Sequence, residues 1–418
     1  MKKIAKVLIG TSLLGISLAV HAATTLTVAS FPDFDKAVTA AIPEWKKLYP
    51  DVDIKIVSEK IGEHHTTMKN ALVSGNGLPD VMGIEFGFIG GFAELNGLED
   101  LSRSPYNARF YQHNFVSFTF PQATSHTGEL VAMPADIGPG TLFYRKDILD
   151  KAGVSESALT KSWESYIQAG KTIKAKTGIL LLPHANEIMS IYIRSGLKDG
   201  DGLYFDKDKN VLVEGPRFVR AFELAKTVRD AGLDQKIPAW SPEWTEGFKQ
   251  GSFASIMTGA WLGQHMSSWL APDSKGLWRA ADLPGGAFGS WGGSFYGIPK
   301  MSKHKSLAWK FIKFMTLRKR SQINSFVAVN AFPALLEAQS DPFFQQPIEY
   351  LGGQKARPLW RNAALHTQSI AVDKYDPIAT TIVTDELAKV LDEGKSIKAA
   401  LADAKNEIER RAKRDGKK

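Results

Sequence analysis

Between Leu26 and Met82 short β-rich runs alternate with helical stretches, and this alternation constrains the fold more than any other feature. Leu26–Ser30, Val52–Val57 and the run opened by Pro79, Asp80, Val81 and Met82 have strand character. A helix to Tyr49 lies between the first two, with Val38, Ala41, Ile42, Trp45 and Leu48 on one face and a kink expected at Pro43. A second helix, Glu63–Ser74, is closed by Gly75. Strands separated by whole helices are too far apart for hairpins, so the spacing predicts parallel crossovers. The pattern returns later: helix Trp163–Thr177 stopped by Gly178, a buried strand Ile179–Leu182, and helix Arg217–Ala231 stopped by Gly232. With 418 residues the chain is too long for one ordinary core, so two or three α/β domains are expected.

The first residues stand apart. Lys2, Lys3 and Lys6 precede an apolar run, Val7–Val20, and Val20-His21-Ala22 supplies small residues where a signal peptidase cuts. Residues 1–22 therefore read as a secretory leader. The chain has no cysteine, so it carries neither disulfides nor a lipid-anchored cleavage site. Together these point to the periplasm of a Gram-negative cell. Net charge is +8, and much of the excess lies near the C-terminus in Arg410, Arg411, Lys413, Arg414, Lys417 and Lys418, where cations suit a helix end. Nucleic acid is not an expected partner, since no basic patch is interleaved with aromatics.

Glu243–Trp261, EWTEGFKQGSFASIMTGAW, reads as an amphipathic helix, a turn at Gly251, a strand Phe253–Met257, then Gly259 and an indole. A strand running into a glycine turn at its carboxyl end opens the kind of crevice where α/β proteins hold ligands. This stretch resembles the sugar-binding proteins of ABC importers, the extracellular solute-binding proteins of the maltose-binding type. Further stretches carry the same resemblance. Pro134, Asp136, Tyr144, Lys146, Asp147, Ala152 and Gly153 match the family's first passage between lobes, and Ser290–Ile298 matches its return strand. Ala308, Phe311 and Phe314 match its Ala-x-x-Phe-x-x-Phe helix. The resemblance implies a type II periplasmic binding protein: two α/β lobes around a ligand cleft, joined by hinge crossovers near Val131, Gly292 and Pro333. The expected division is 23–131 plus 292–332 for lobe 1 and 132–291 plus 333–418 for lobe 2. It also implies a carbohydrate ligand, permease subunits with a cytoplasmic ATPase as partners, a monomeric protein, and no cofactor.

A sugar site needs carboxylates or amides for paired hydroxyls and an aromatic face for the C–H side of the ring. Asp33, Glu85, Asp136 and Asn186 follow expected strands or lobe crossings, with helix capping as the rival role for Asp33. Phe86 stands beside Glu85, where some maltose-type members carry a tryptophan, so the particular sugar stays open. Trp261 is the expected stacking ring, joined by Trp291 with Gly292 and Gly293, and by Trp360 late in the chain. Trp45, Trp163 and Trp309 lie on helical faces and are expected in the core. His64-His65 lacks HExxH spacing, and the loop from Asp206 lacks the glycine and glutamate of a calcium loop, so no metal is expected. No nucleophile elbow or phosphate loop is present, and catalysis is not expected. The alternatives are a binder of another solute, such as a polyamine or ferric ion, and a periplasmic glycan-acting enzyme.

Overall fold

The computed structural model describes residues 24–415. The expected leader, with Lys417 and Lys418, lies outside the described residues. The first three strands are β1 (Thr24–Ser30), β2 (Val52–Ser58) and β3 (Val81–Glu85), with helices Phe34–Leu48 and Ile61–Ser74 as their crossovers. β1 pairs in parallel with both β2 and β3, as the helix-length spacing requires. Helix Phe34–Leu48 runs through Pro43 as one element and buries Phe34, Val38, Ala41 and Trp45. Gly75 closes the second helix in the left-handed conformation.

The centre of the molecule is β4 (Ala132–Arg145), a strand of 14 residues. Its first half pairs with β7 (Ser290–Gly297) and β8 (Phe332–Pro333), and its second half with β5 (Ser255–Gly259) and β6 (Trp278–Ala281), all antiparallel. The sheet order is β2-β1-β3-β7-β4-β5, so β4 and β7 carry the chain from one half of the sheet to the other. Register breaks between Pro134 and Asp136 and between Ile137 and Pro139 bend β4 at this passage. A Cβ on Gly138 would stand 1.8 Å from the Trp291 carbonyl oxygen, and one on Gly140 2.3 Å from the Trp291 ring. Only glycine lets the two crossing strands approach this closely.

Two hydrophobic cores flank the crossing. The first gathers Leu26, Trp45, Phe92, Met133 and Phe311; the second gathers Leu142, Tyr166, Phe218, Val383 and Leu401. Trp244, Phe248 and Trp278 pack on one another and belong to the first core, as do Phe332 and Trp360, whose rings meet edge-on. Ile179–Leu182 is not a full strand: it makes single parallel bridges from Leu180 to Phe253 and from Leu182 to Asp234. Helices Asp376–Asp392 and Ile397–Asp415 pack together at the end of the chain, and Ala400, Leu401, Ala404 and Ile408 are buried. Among the described residues no helix is long and apolar enough to cross a membrane.

Candidate functional site

Two sequence-expected carboxylates meet at the strand crossing. Glu85 ends β3 opposite Ser294 of β7, and Asp136 of β4 lies opposite the same serine. Directly opposed residues share a face of a sheet, so Glu85, Ser294 and Asp136 form one row across three strands. Both acids are half-buried. Asp136 Oδ1 accepts a long hydrogen bond from Ser294 Oγ at 3.4 Å, and Glu85 Oε2 accepts from the Gly87 N–H at 2.7 Å. Burial pushes each carboxyl up to about 7, and the charge of Glu85 adds to the rise at Asp136. Among the described residues neither acid has a cation within salt-bridge distance, which leaves oxygen lone pairs for a guest.

A buried histidine fixes this row from behind. The Glu85 N–H donates to His65 Nε2 at 2.9 Å, so that nitrogen is the acceptor and Nδ1–H donates to the Ile61 carbonyl at 2.6 Å. The ring stacks on Phe88 with centroids 4.0 Å apart, and burial holds its pKa near 3. His64 is likewise structural, bonded through Nε2 to the Gly83 carbonyl at 2.8 Å.

Beside the carboxylate row lies a cavity of about 260 Å³, lined among others by Asn186, Glu187, Arg194, Trp240, Trp261 and Trp291. Asn186 opens helix Asn186–Tyr192, whose start is held by the Asp234 carboxylate accepting from the Ala185 N–H at 2.9 Å. Asp234 is locked by a buried fork of hydrogen bonds from Arg229. The Trp261 indole N–H is not open to a ligand: it donates to the Trp291 carbonyl at 2.7 Å. What Trp261 contributes is a ring, half-buried and stacked at 16° on Trp240 with centroids 5.9 Å apart. Trp291 is also half-buried, with the Arg194 guanidinium 5.3 Å above its ring. Gly292 and Gly293 hold φ of 84° and 118°, and these turns let the Trp291 carbonyl reach Trp261.

Arg194 is the cation of the site. Its Nη1 donates to the Ser190 carbonyl at 2.7 Å, its charge lowers the pKa of Glu85, and burial lowers its own. Glu187 faces the same cavity; Oε2 accepts from the Met257 N–H at 3.3 Å, and burial raises its pKa to about 8, so it is a hydrogen-bond donor at neutral pH. Asp376, near Arg194, is also raised to about 7 by burial.

Other expected residues fall elsewhere. Asp33 does not cap its helix: it makes no capping hydrogen bond, its φ is 70°, and Oδ1 pairs with Lys36 at 2.7 Å. Its Oδ2 lies 3.7 Å from His265 Nε2, at the rim of the aromatic wall. Phe86 sits half-buried in a 3-10 turn against the first core. Trp360 corrects the expectation for the late crevice residue: it is 1% exposed inside helix Ala356–His366 and offers a ligand no surface. Trp45, Trp163 and Trp309 are buried, as their helical spacing predicts. The loop from Asp206 is a hairpin turn, with Phe205 bridged to Val211 and the Asp206 carboxylate accepting from the N–H groups of Asp208 and Asn210. Glu187, Arg194 and Trp240 were not singled out by the sequence. Trp240 carries the clearest missed signal, an aromatic between Pro238 and Pro242 that belongs to no apolar period.

Two α/β lobes joined by long crossing strands, with acids and tryptophans gathered at the crossing, define a two-lobed binding protein. The chain belongs to the bacterial extracellular solute-binding proteins, whose match spans residues 40–351. It is 26% identical over 288 residues to the arabinooligosaccharide-binding protein of Bacillus subtilis strain 168, covering 65% of this chain and 64% of that protein. It is 26% identical over 360 residues to the lactose-binding protein of Rhizobium radiobacter, covering 80% of this chain and 79% of that protein. A crystal structure of an extracellular solute-binding protein of family 1 superposes with a TM-score of 0.81 at 25% identity, over 93% of this chain and 99% of that one.

Proposed function

We propose that this chain is the periplasmic substrate-binding subunit of an ABC importer and that it holds a mono- or oligosaccharide between its lobes. The observation that carries this reading is the pairing of a carboxyl row, Glu85 and Asp136, with an adjacent wall of Trp240, Trp261 and Trp291. Carboxyls with unfilled lone pairs take hydroxyl donors, and protonated Glu187 returns a donor to a sugar oxygen. Indole faces cover the C–H side of a ring. The relatives named for arabino-oligosaccharides and lactose support the same class of ligand.

The lobes, 23–131 with 292–332 and 132–291 with 333–418, close about β4, β7 and β8, and closure shifts the population toward the form a permease pair and its ATPase recognise. The protein acts as a monomer and performs no chemistry on its ligand. A thermal-shift screen over arabinose, galactose and glucose saccharides, followed by mass spectrometry of the recovered ligand, tests this. The expected result is a raised melting point with one hit class and unchanged ligand. Cleaved product would instead make the protein an enzyme, and a response to polyamine or ferric ion alone would make it a binder of another solute.

A further inference from the structure

The cavity of about 260 Å³ is small; sites enclosing a drug-sized ligand span roughly 300–1,000 Å³. Its wall does not stop at the mouth. Trp240 lines the cavity and is 55% exposed; Trp269 is 47% exposed, and these are the two large exposed indoles among the described residues. Between them stands His265, edge-on to Trp240 at 5.8 Å, to Trp261 at 5.6 Å and to Trp269 at 5.9 Å. The rings thus run without a gap from the enclosed Trp261 outward to Trp269.

Three features show that this run is built. Trp240 is held at φ 68°, a strained conformation for a bulky residue that persists only where the surroundings enforce it. Trp269 lies in a π-helical turn, Met266–Leu270, an insertion common at functional sites. The Trp269 indole N–H donates to His265 Nδ1 at 3.0 Å, which fixes both rings and leaves the opposite nitrogen, Nε2–H, facing Asp33. Asp33 and Lys36 supply hydroxyl-binding groups along the same rim.

We propose that the sugar site continues outside the cavity as an extension subsite on Trp240, His265 and Trp269, so that the ligand is an oligosaccharide whose outer rings lie across this surface. The inference rests on the sugar reading above and goes further, because a monosaccharide or disaccharide would fill the cavity and leave Trp269 untouched.

Calorimetric titration tests it, using oligomers of two to six units built on whichever of arabinose, galactose or glucose raises the melting point. In the unmodified protein affinity should grow with length beyond the dimer. Trp269→Ala should weaken the hexamer roughly tenfold, equivalent to about 1.4 kcal/mol, and leave the dimer unchanged, and Trp269→Phe should restore most of the loss. An unaltered unfolding curve for the alanine variant would confirm that the fold is intact. Equal affinity for dimer and hexamer, or an equal effect of Trp269→Ala on both, overturns the extension alone. Failure of every saccharide to bind the unmodified protein overturns the sugar reading and the extension with it.

Discussion

Replacing Asp136 by asparagine should stabilise the unliganded protein and weaken its grip on sugar. Burial, helped by the charge of Glu85, lifts the Asp136 carboxyl from 3.8 to about 7. A group raised in the folded state favours folding below its unfolded pKa, and that contribution is lost as pH rises through the folded value. Wild-type protein therefore loses this contribution between about pH 4 and pH 7, whereas the asparagine variant keeps only the pH-dependent losses of Glu85, Asp376 and Glu187, so the gap between the two widens with pH. At 1.36 kcal/mol per pH unit, the gap at pH 8 has an upper bound of about 4 kcal/mol, or roughly 4–5 °C for a chain of this size. Asparagine keeps the shape and can still meet Ser294 Oγ, so no cavity forms. Binding should move the other way: a hydrogen bond to a charged group contributes about 1.5–3 kcal/mol, so affinity should fall roughly 10- to 100-fold. Thermal unfolding by circular dichroism from pH 4 to pH 8, with calorimetric titration at pH 8, reads both effects. A variant that melts below wild type by the same margin at every pH would refute the reasoning, because the carboxyl would then be stabilising rather than strained by burial.

Trp360→Ala should cost about 3–5 kcal/mol of stability, read by denaturant unfolding, with saccharide affinity unchanged in the folded fraction, because the ring is buried against Phe143 and Phe332. Asp234→Ala should destabilise by about 1.5–3 kcal/mol, since it removes the buried fork from Arg229 and leaves that charge only Asp392 as a partner, and hydrogen exchange at Ala185 should accelerate as its acceptor disappears. Gly140→Ala should cost about 1–3 kcal/mol and reduce saccharide affinity, because the added carbon would drive Trp291 out of its place in the cavity wall; melting and titration would show both losses.

Local patterning carried much of this architecture. Gly75, Gly178 and Gly251 mark helix ends, and the spacing of Leu26–Ser30 from Val52–Val57 enforces a parallel pair. Glu85 and Asp136 were readable as acids at strand ends and crossings. Their adjacency was not, because it depends on β7 entering between β3 and β4 from more than 150 residues away. Trp261 was readable as a site aromatic, but the bond from its N–H to Trp291 was not, since it follows from the glycine turn at Gly292. Trp360 illustrates the opposite case. Ala356, Trp360, Ala363 and Ala364 recur at helical spacing, a core signature that outweighs position in the chain. Pro238 and Pro242 mark Trp240 as an aromatic outside any apolar period, but its exposure follows from a φ of 68° that the sequence does not specify.

A crystal structure of the protein grown with its best-responding saccharide tests the central claim most directly. Sugar rings should lie within van der Waals reach of Trp240, Trp261 or Trp291, with hydroxyls bonded to Glu85 or Asp136. A saccharide bound elsewhere, with those carboxyls and indoles bare, would contradict it.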